Sequence, residues 1–445
     1  MYFEIKSRVF MEKRIEERVS LRQGLLALSP LFVFLLVYLM LSLLIGDFYK
    51  IPLSVAFLVA AVWGLLTTPG LELRRRIEIF SEGAAHHDVI YMVWIFILAG
   101  AFAMLAQKIG ATDATVNFTL DILPANFLMP GLFLAACFIS MAIGTSVGTV
   151  VALTPVAVGI AGELGLNLPM FVAIVVGGAF FGDNLSFISD TTITSTRSQG
   201  CNMSDKFKVN IWLTAPAAAL ILVLYYLLGR DVVAPLSVDG GNWVLVLPYM
   251  LVIVAAVVGI NVLIVMLLGI VASVIVGLTV ADANLYDMFG FMGQGIDSMG
   301  NLIVVTLLAS GMLGIIRYNG GIRFLIERLS SGIKGQRGAQ GAISVLVAVV
   351  NVCTANNTIA IITVGSLSRE IAERYGLDPR KTASLLDTCS CVTQSLLPYG
   401  AQILMAASLA SVSPMSIVPY MFYPFMLGVM VLLSIVFRFP RMSER

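Results

Sequence analysis

The sequence predicts an all-α, polytopic membrane protein: about ten transmembrane helices plus two re-entrant hairpins, in a 5+5 inverted-topology repeat with discontinuous helices. Three observations predict it: the composition, the placement of the basic residues, and a correspondence between the two halves of the chain. The 445 residues are 59% hydrophobic and 12% charged, with a mean hydropathy of +0.95. Soluble domains do not have this composition, and many apolar runs reach the ~20 residues that a bilayer-spanning helix needs. A net charge of +1 gives no electrostatic footprint for nucleic acid. Cys137, Cys201, Cys353, Cys389 and Cys391 form no CxxC pair and read as small apolar packing residues. His86 and His87, beside Asp88, read as a solvated loop pair rather than a metal site.

Taken in order, residues 1–24 form a cytoplasmic N-terminal segment with six basic residues. It has no apolar core of the kind a cleavable signal carries. The first transmembrane repeat is expected over 25–230 and the second, inverted one over 244–437, with 438–445 as a cytoplasmic tail. Plain spans are read at Leu25–Ile45, Pro52–Thr68, Val89–Gln107, Val209–Leu228, Val244–Ile260, Val262–Val280, Leu302–Ile316 and Ile417–Phe437. Two further spans, Pro169–Thr196 and Thr382–Ala410, are polar in the middle; Pro398 and Gly400 are expected to break the second. Two apolar stretches, Leu128–Gly162 and Ala339–Ser368, are interrupted at their centres by small polar residues.

Loop charge decides how those two stretches run, because Lys and Arg collect on the cytoplasmic side. If each crosses once, 17 basic residues fall inside and 10 outside. If each is a hairpin that returns, 24 fall inside and only Lys50, Lys108 and Arg230 outside, with no basic residue left in the membrane. The hairpin arrangement follows, with both termini cytoplasmic. Non-helical backbone at such tips is tolerated only inside protein or beside water.

The halves also correspond. Asp88 pairs with Asp297, Thr145 with Thr354, the ELGLN turn at Glu163 with RYGLDP at Arg374, and NLSFIS at Asn184 with SLLPYG at Ser395, at a spacing of about 209 to 211. Five spans per half is an odd number, so the halves insert with opposite orientation. The loop charge inverts accordingly: Arg74–Arg76 in one half, Asp282, Asp287 and Asp297 in the other. Inverted repeats of this kind place a transport site at the bilayer midplane, where broken segments meet.

That argument gathers the candidate site residues. The stretch Gly177–Gly200 reads as membrane yet carries Asp183, Asn184, Ser186, Ser189, Asp190, Thr191 and Thr192. A carboxylate at a helix centre costs about 2.5–3.5 kcal/mol on insertion scales, so a pair of them demands a cation or a proton. Asp183 and Asp190 are therefore the expected Na⁺ ligands and proton carriers, with Asn184, Ser186, Ser189 and Thr191 as neutral ligands. Asn356, Asn357 and Thr358 at the second hairpin tip complete the set. Thr145, Thr354, Asp387, Gln394 and Ser395 form a secondary set. Na⁺ prefers oxygen donors, and a carboxylate that holds either Na⁺ or H⁺ meets the minimum requirement for exchange. Two structural roles compete with this reading: Asp183 and Asp190 as caps of a broken helix, and the hydroxyls as bonds across helices. Gly177, Gly178 and Gly182 read as close-packing positions, and Arg197 as a snorkelling interface residue.

The run Gly182-Asp183-Asn184-Leu185-Ser186, then Ser189-Asp190-Thr191-Thr192, resembles the signature of NhaC-type Na⁺/H⁺ antiporters. Asn356, Asn357 and Thr358 are similar to the Ser-Asn-Thr hairpin tips of the wider ion-transporter group. The first tip, Gly144–Thr149, lacks the Asn, and Phe187 stands where many such proteins have Pro. The resemblance runs from about Ala136 to Pro424 and implies a secondary transporter, not an enzyme, that exchanges Na⁺ for H⁺ across the cytoplasmic membrane without a cofactor. Members of that group also exchange malate and lactate or take up amino acids with sodium. A small organic solute therefore stays open as a partner beside Na⁺, H⁺ and lipid, and a second copy of the chain is a candidate partner. Enzyme signatures are missing from the sequence: no nucleophile–base pair, HExxH or phosphate loop.

Overall fold

A helix that is apolar on every side has two places to go, lipid or a neighbouring helix, and this chain uses both. The computed structural model describes residues 20–45, 52–122, 124–186, 189–232, 242–258, 260–281, 283–330 and 333–440. The first half contains α1 (Leu21–Ile45), α2 (Leu53–Thr67), α3 (Leu73–Ala84), α4 (His87–Lys108), α5 (Ala111–Ile122), α6 (Leu128–Ile143), α7 (Ser146–Glu163), α8 (Leu168–Leu185), α9 (Asp190–Gln199) and α10 (Met203–Gly229). The second contains α11 (Leu247–Val257), α12 (Val262–Thr279), α13 (Leu285–Ser298), α14 (Gly300–Tyr318), α15 (Gly321–Ser330), α16 (Gly335–Thr354), α17 (Asn357–Tyr375), α18 (Pro379–Leu396), α19 (Ala401–Ala410), α20 (Pro414–Ile417) and α21 (Phe422–Phe437). Among the described residues nine helices are long and apolar enough to cross a membrane, ten if the bent pair Pro379–Ala410 and Pro414–Tyr420, at 101°, counts as one span. The protein is a multi-pass membrane protein.

Both central stretches fold as hairpins. In the second, Gln336 Nε2 donates to Gly376 O at 3.2 Å, and Tyr375 OH donates to Ile333 O at 3.0 Å, so the start of α16 lies beside the end of α17. In the first, α6 runs parallel to α8: Phe133 backs Gly178, and Ser140 Oγ donates to Ala179 O at 2.5 Å. A short loop returns α7 antiparallel to α8, so α6 and α7 are antiparallel to each other. The glycine reading holds here. A methyl group on Gly178 would lie 2.7 Å from Phe133 O, and one on Gly182 would lie 2.5 Å from Met141 N, so α8 rests on the α6 backbone.

The two halves superpose in sequence with a single offset. Helices α7, α8 and α9 start at 146, 168 and 190, and α17, α18 and α19 at 357, 379 and 401, an offset of 211 each time. Left-handed turns fall at Gly144 and Ala355, Gly165 and Gly376, and Gly200 and Ser411, again 211 apart. The N-caps correspond too: Asn167 accepts from Met170 N, and Asp378 from Arg380 N. This register pairs Thr145 with Asn356, which corrects the expected partner Thr354. Contacts between halves occur twice with roles exchanged. Gly100 of α4 abuts Gly295 of α13, and Gly83 of α3 abuts Gly314 of α14. The corresponding helices α10 and α21 run antiparallel, with Trp212 against Phe439 at 6.0 Å and Tyr225 against Phe422 at 6.3 Å. Side-by-side mates that point in opposite directions make the repeat inverted.

The short helices α3, α5, α13 and α15 were not expected from hydropathy, because 10 to 14 residues cannot span. They connect spans; Arg76 of α3, for instance, donates to Leu65 O and Leu66 O and closes the end of α2.

Candidate functional site

Four helices end and four begin at the centre of the molecule, because each hairpin tip and each broken span supplies one of both. Helices α6, α8, α16 and α18 end there with free carbonyls, and α7, α9, α17 and α19 begin there with free amides. Helix α8 ends at Leu185 and α9 begins at Asp190, while α18 ends at Leu396 and α19 begins at Ala401, so Pro398 and Gly400 interrupt the second polar span as expected. Tyr399 anchors that break: its ring meets Phe34 at 5.6 Å and Phe57 at 5.5 Å, and its hydroxyl donates to Val352 O at 2.8 Å.

Asp183, on the last turn of α8, is 5% exposed. Ser146 of α7 donates to its Oδ2 at 3.0 Å, and Ser189, the N-cap of α9, donates to its Oδ1 at 2.5 Å. Thr191 Oγ1 lies 2.9 Å from Ser189 Oγ. The chain of bonds continues into the other half. Gln402 Nε2 donates to Ser146 Oγ at 3.0 Å, and Gln394 Nε2 donates to Gln402 Oε1 at 3.2 Å and to Ala355 O at 3.0 Å. One path of side chains therefore links both tips and both breaks. Gln394 is the repeat counterpart of Asp183, 211 residues on, so a neutral amide stands where the first half has an acid.

The other expected residues fall into three groups. Asn356 and Asn357 lie at the second tip. Asn356 Oδ1 caps α17 by accepting from Ile359 N at 3.0 Å, while the buried Asn357 Nδ2 has no hydrogen-bond partner. Thr354 Oγ1 donates to Asn356 O at 3.1 Å, and Thr145 and Thr358 lie partly buried at the first and second tips. Ser186 and Ser395 turn to backbone: Ser186 donates to Met141 O at 2.9 Å, and Ser395 back-bonds Val392 O at 2.8 Å within α18. Asp190 lies in the first turn of α9 and is exposed, in contrast to the buried Asp183, Thr191 and Thr192.

Lys206 is the residue that sequence reasoning missed, because it was counted as a cytoplasmic loop charge. It lies in the first turn of α10, is 1% exposed, and forms an ion pair with Asp387, itself 0% exposed. Its Nζ also donates to Asn184 O and to Thr192 Oγ1, each at 2.7 Å. Asn210 donates to Asn184 O at 3.1 Å and to Asn184 Oδ1. Asn184 and Asp387 are thus committed to Lys206 and Asn210 rather than to the Asp183 cluster. Lys381 is buried as well, donating to Ser434 Oγ and to Phe439 O at the end of α21. Both lysines, counted as loop charges from the sequence, are thus buried within the protein. The only available signal was position: Lys206 and Asn210 sit one helical turn apart at the start of an apolar span.

A model of the Na⁺/H⁺ antiporter family matches residues 5–230 and 239–439. The chain belongs to that family. Relatives within reach of an antiporter of this kind include the Na⁺/H⁺ antiporter NhaC of Alkalihalophilus pseudofirmus, 23% identical over 90% of this chain and 94% of that one. The malate-2H⁺/Na⁺-lactate antiporter of Bacillus subtilis is 23% identical over 89% of this chain and 92% of its own length. The arginine/ornithine antiporter ArcD of Halobacterium salinarum is 22% identical over 94% and 92%. Among solved structures, the YdaH transporter of Alcanivorax borkumensis is similar over 82% of this chain and 88% of that chain, at 15% identity and a TM-score of 0.39.

Proposed function

We propose that the chain exchanges Na⁺ for H⁺ across the cytoplasmic membrane, both termini inside, with Asp183 as the group that holds either ion. One observation carries the reading: a buried carboxylate whose partners are the hydroxyls of Ser146 and Ser189, at the meeting point of a hairpin tip and a helix break. A hydroxyl donates its one hydrogen to a carboxylate and keeps two lone pairs, which accept from a neighbour, as Ser146 Oγ does from Gln402, or turn towards a cation. The same shell therefore serves the ionised acid and the Na⁺ that compensates it. When the proton is carried instead, the carboxyl becomes a donor to that shell. Thr191 extends the oxygen set, and Asn356, Asn357 and Thr358 supply the matching set on the opposed tip. Asp190, exposed at the start of α9, stands on the approach to the site and adds negative potential for an entering cation. Rocking of the hairpin-bearing bundle against α1–α4 and α11–α14 exposes the site to each side in turn.

In proteoliposomes, an imposed Na⁺ gradient drives proton movement with the wild-type chain, and Asp183→Asn abolishes it. Proton movement of wild-type rate in Asp183→Asn removes the assignment. A second reading, antiport of a small organic solute coupled to Na⁺, is favoured by the unpartnered, buried Gln394 Oε1 and Asn357 Nδ2 and by the lactate and arginine/ornithine relatives. Counterflow of labelled amino acids and hydroxy acids in the same liposomes separates the two.

A further inference from the structure

The end of α8 holds a second buried cluster that the exchange at Asp183 does not use. Helix α8 stops at Leu185, so the Asn184 carbonyl has lost its place in the helical ladder and lies at the negative end of the helix dipole. Thr192 Oγ1, one turn into α9, faces the same point. Asp387 approaches from α18 of the other repeat and is 0% exposed. A carboxylate, a freed backbone carbonyl and a hydroxyl are the donor set that a hard monovalent cation prefers. What fills the space is the ammonium group of Lys206, which pairs with Asp387 and reaches Asn184 O and Thr192 Oγ1 at 2.7 Å each.

We infer that Lys206 is a tethered cation that occupies what is otherwise a Na⁺ site, formed by Asp387, the Asn184 carbonyl and Thr192. The ammonium and Na⁺ carry the same charge and accept the same oxygen ligands. Lys206 enters from α10, whose next turn fixes Asn210 on the same Asn184 carbonyl, so the cage is held from outside α8 and α9. Asp387 is neutralised by a charge that cannot leave, and Asp183, partnered by hydroxyls, is left to exchange. Among the described residues two carboxylates, Asp183 and Asp387, are buried, and one of them exchanges its ion. The tie also spans the repeats: Asn184 and Thr192 belong to the first half and Asp387 to the second.

This inference deepens the Na⁺ reading of Asp183 and is tested separately from it. Full-length protein is purified in detergent, and saturable ²²Na⁺ binding is counted per chain in Asp183→Asn, Asp183→Asn/Lys206→Met and Asp183→Asn/Lys206→Met/Asp387→Asn. The expected result is a gain of one Na⁺ per chain on adding Lys206→Met, and its loss on adding Asp387→Asn. Equal binding in Asp183→Asn and Asp183→Asn/Lys206→Met overturns the inference. Saturable binding that persists in Asp183→Asn alone counts against the Asp183 reading, while the difference between the first two chains still decides this one. The thermal midpoint of Lys206→Met supplies a second readout. A rise in Na⁺ over choline that Lys206→Met/Asp387→Asn does not show supports the tethered cation, and identical midpoints in the two salts overturn it. If Lys206→Met does not purify as a monodisperse species, Lys206→Gln is measured in the same two ways.

Discussion

At the scale of single residues, two acids with similar burial have different partners, and the roles proposed for them rest on that difference. Asp183 is held by neutral hydroxyls and Asp387 by an ammonium. Removing one member of a buried ion pair leaves the other uncompensated and costs about 3–5 kcal/mol, whereas removing both costs much less. Lys206→Ala should therefore lower the thermal midpoint in detergent far more than Lys206→Ala/Asp387→Leu does. Additive losses would show that the pair is not coupled. Asp190 gives a graded comparison: exposed and outside the Asp183 shell, its Asn variant should raise the Na⁺ concentration for half-maximal exchange several-fold and leave exchange intact. Complete loss in Asp190→Asn would place it among the ion's direct ligands instead.

At the scale of elements, the two hairpins solve one packing problem with different residues. In the first, Gly178 and Gly182 let α8 touch the α6 backbone, and a short side chain, Ser140, suffices to reach Ala179 O. In the second, the corresponding positions are Cys389 and Thr393, the helices stand further apart, and the longer Asn351 reaches Ser390 O at 2.8 Å. Gly182→Val forces a branched side chain against Met141 N and Cys137 O. Overpacking of this kind costs about 1–3 kcal/mol, read as a lower unfolding midpoint, while Thr393→Gly on the mate should not stabilise the chain. At the entry of α18, outside the membrane span, burial works to raise the Asp378 carboxyl, but hydrogen bonds from the Arg380 side chain and backbone outweigh it and hold it below its ordinary 3.8. A carboxyl lowered in the folded state stabilises at pH above its unfolded value and loses that contribution as pH falls through the lowered one. Asp378→Asn should therefore melt slightly earlier than wild type at neutral pH, with the gap closing in acid; the pair is partly exposed, so the effect is small.

At the scale of the molecule, the inverted repeat fixes which ends share a side. Glu163, at the end of α7, and Arg374, at the end of α17, are exposed mates 211 residues apart. With single cysteines there in an otherwise cysteine-free chain, an impermeant thiol reagent should label one from outside right-side-out vesicles and the other only from everted ones. Labelling of both from the same side is incompatible with mates that run antiparallel.

The sequence by itself determined the spans, both hairpins, the two broken helices and the place of Asp183 within an apolar segment. Each of these follows from local physics: apolar runs set by bilayer thickness, small polar tips that cannot continue a helix, Pro398 and Gly400, and an acid set in the middle of an apolar run. The repeat was legible as well, because a constant spacing survives without any contact being known, although its register at the tips was two residues off. Tertiary structure decided the partners. Ser146 meets Gln402 across 256 residues, and Lys206 meets Asp387 across 181. Lys206 looked like a loop charge because hydropathy averages over a window and cannot see that α10 delivers its first turn to the carbonyl end of α8. Asp190 looked buried for the same reason, since a break in the helix resets which face points inward and only the packed chain fixes that rotation.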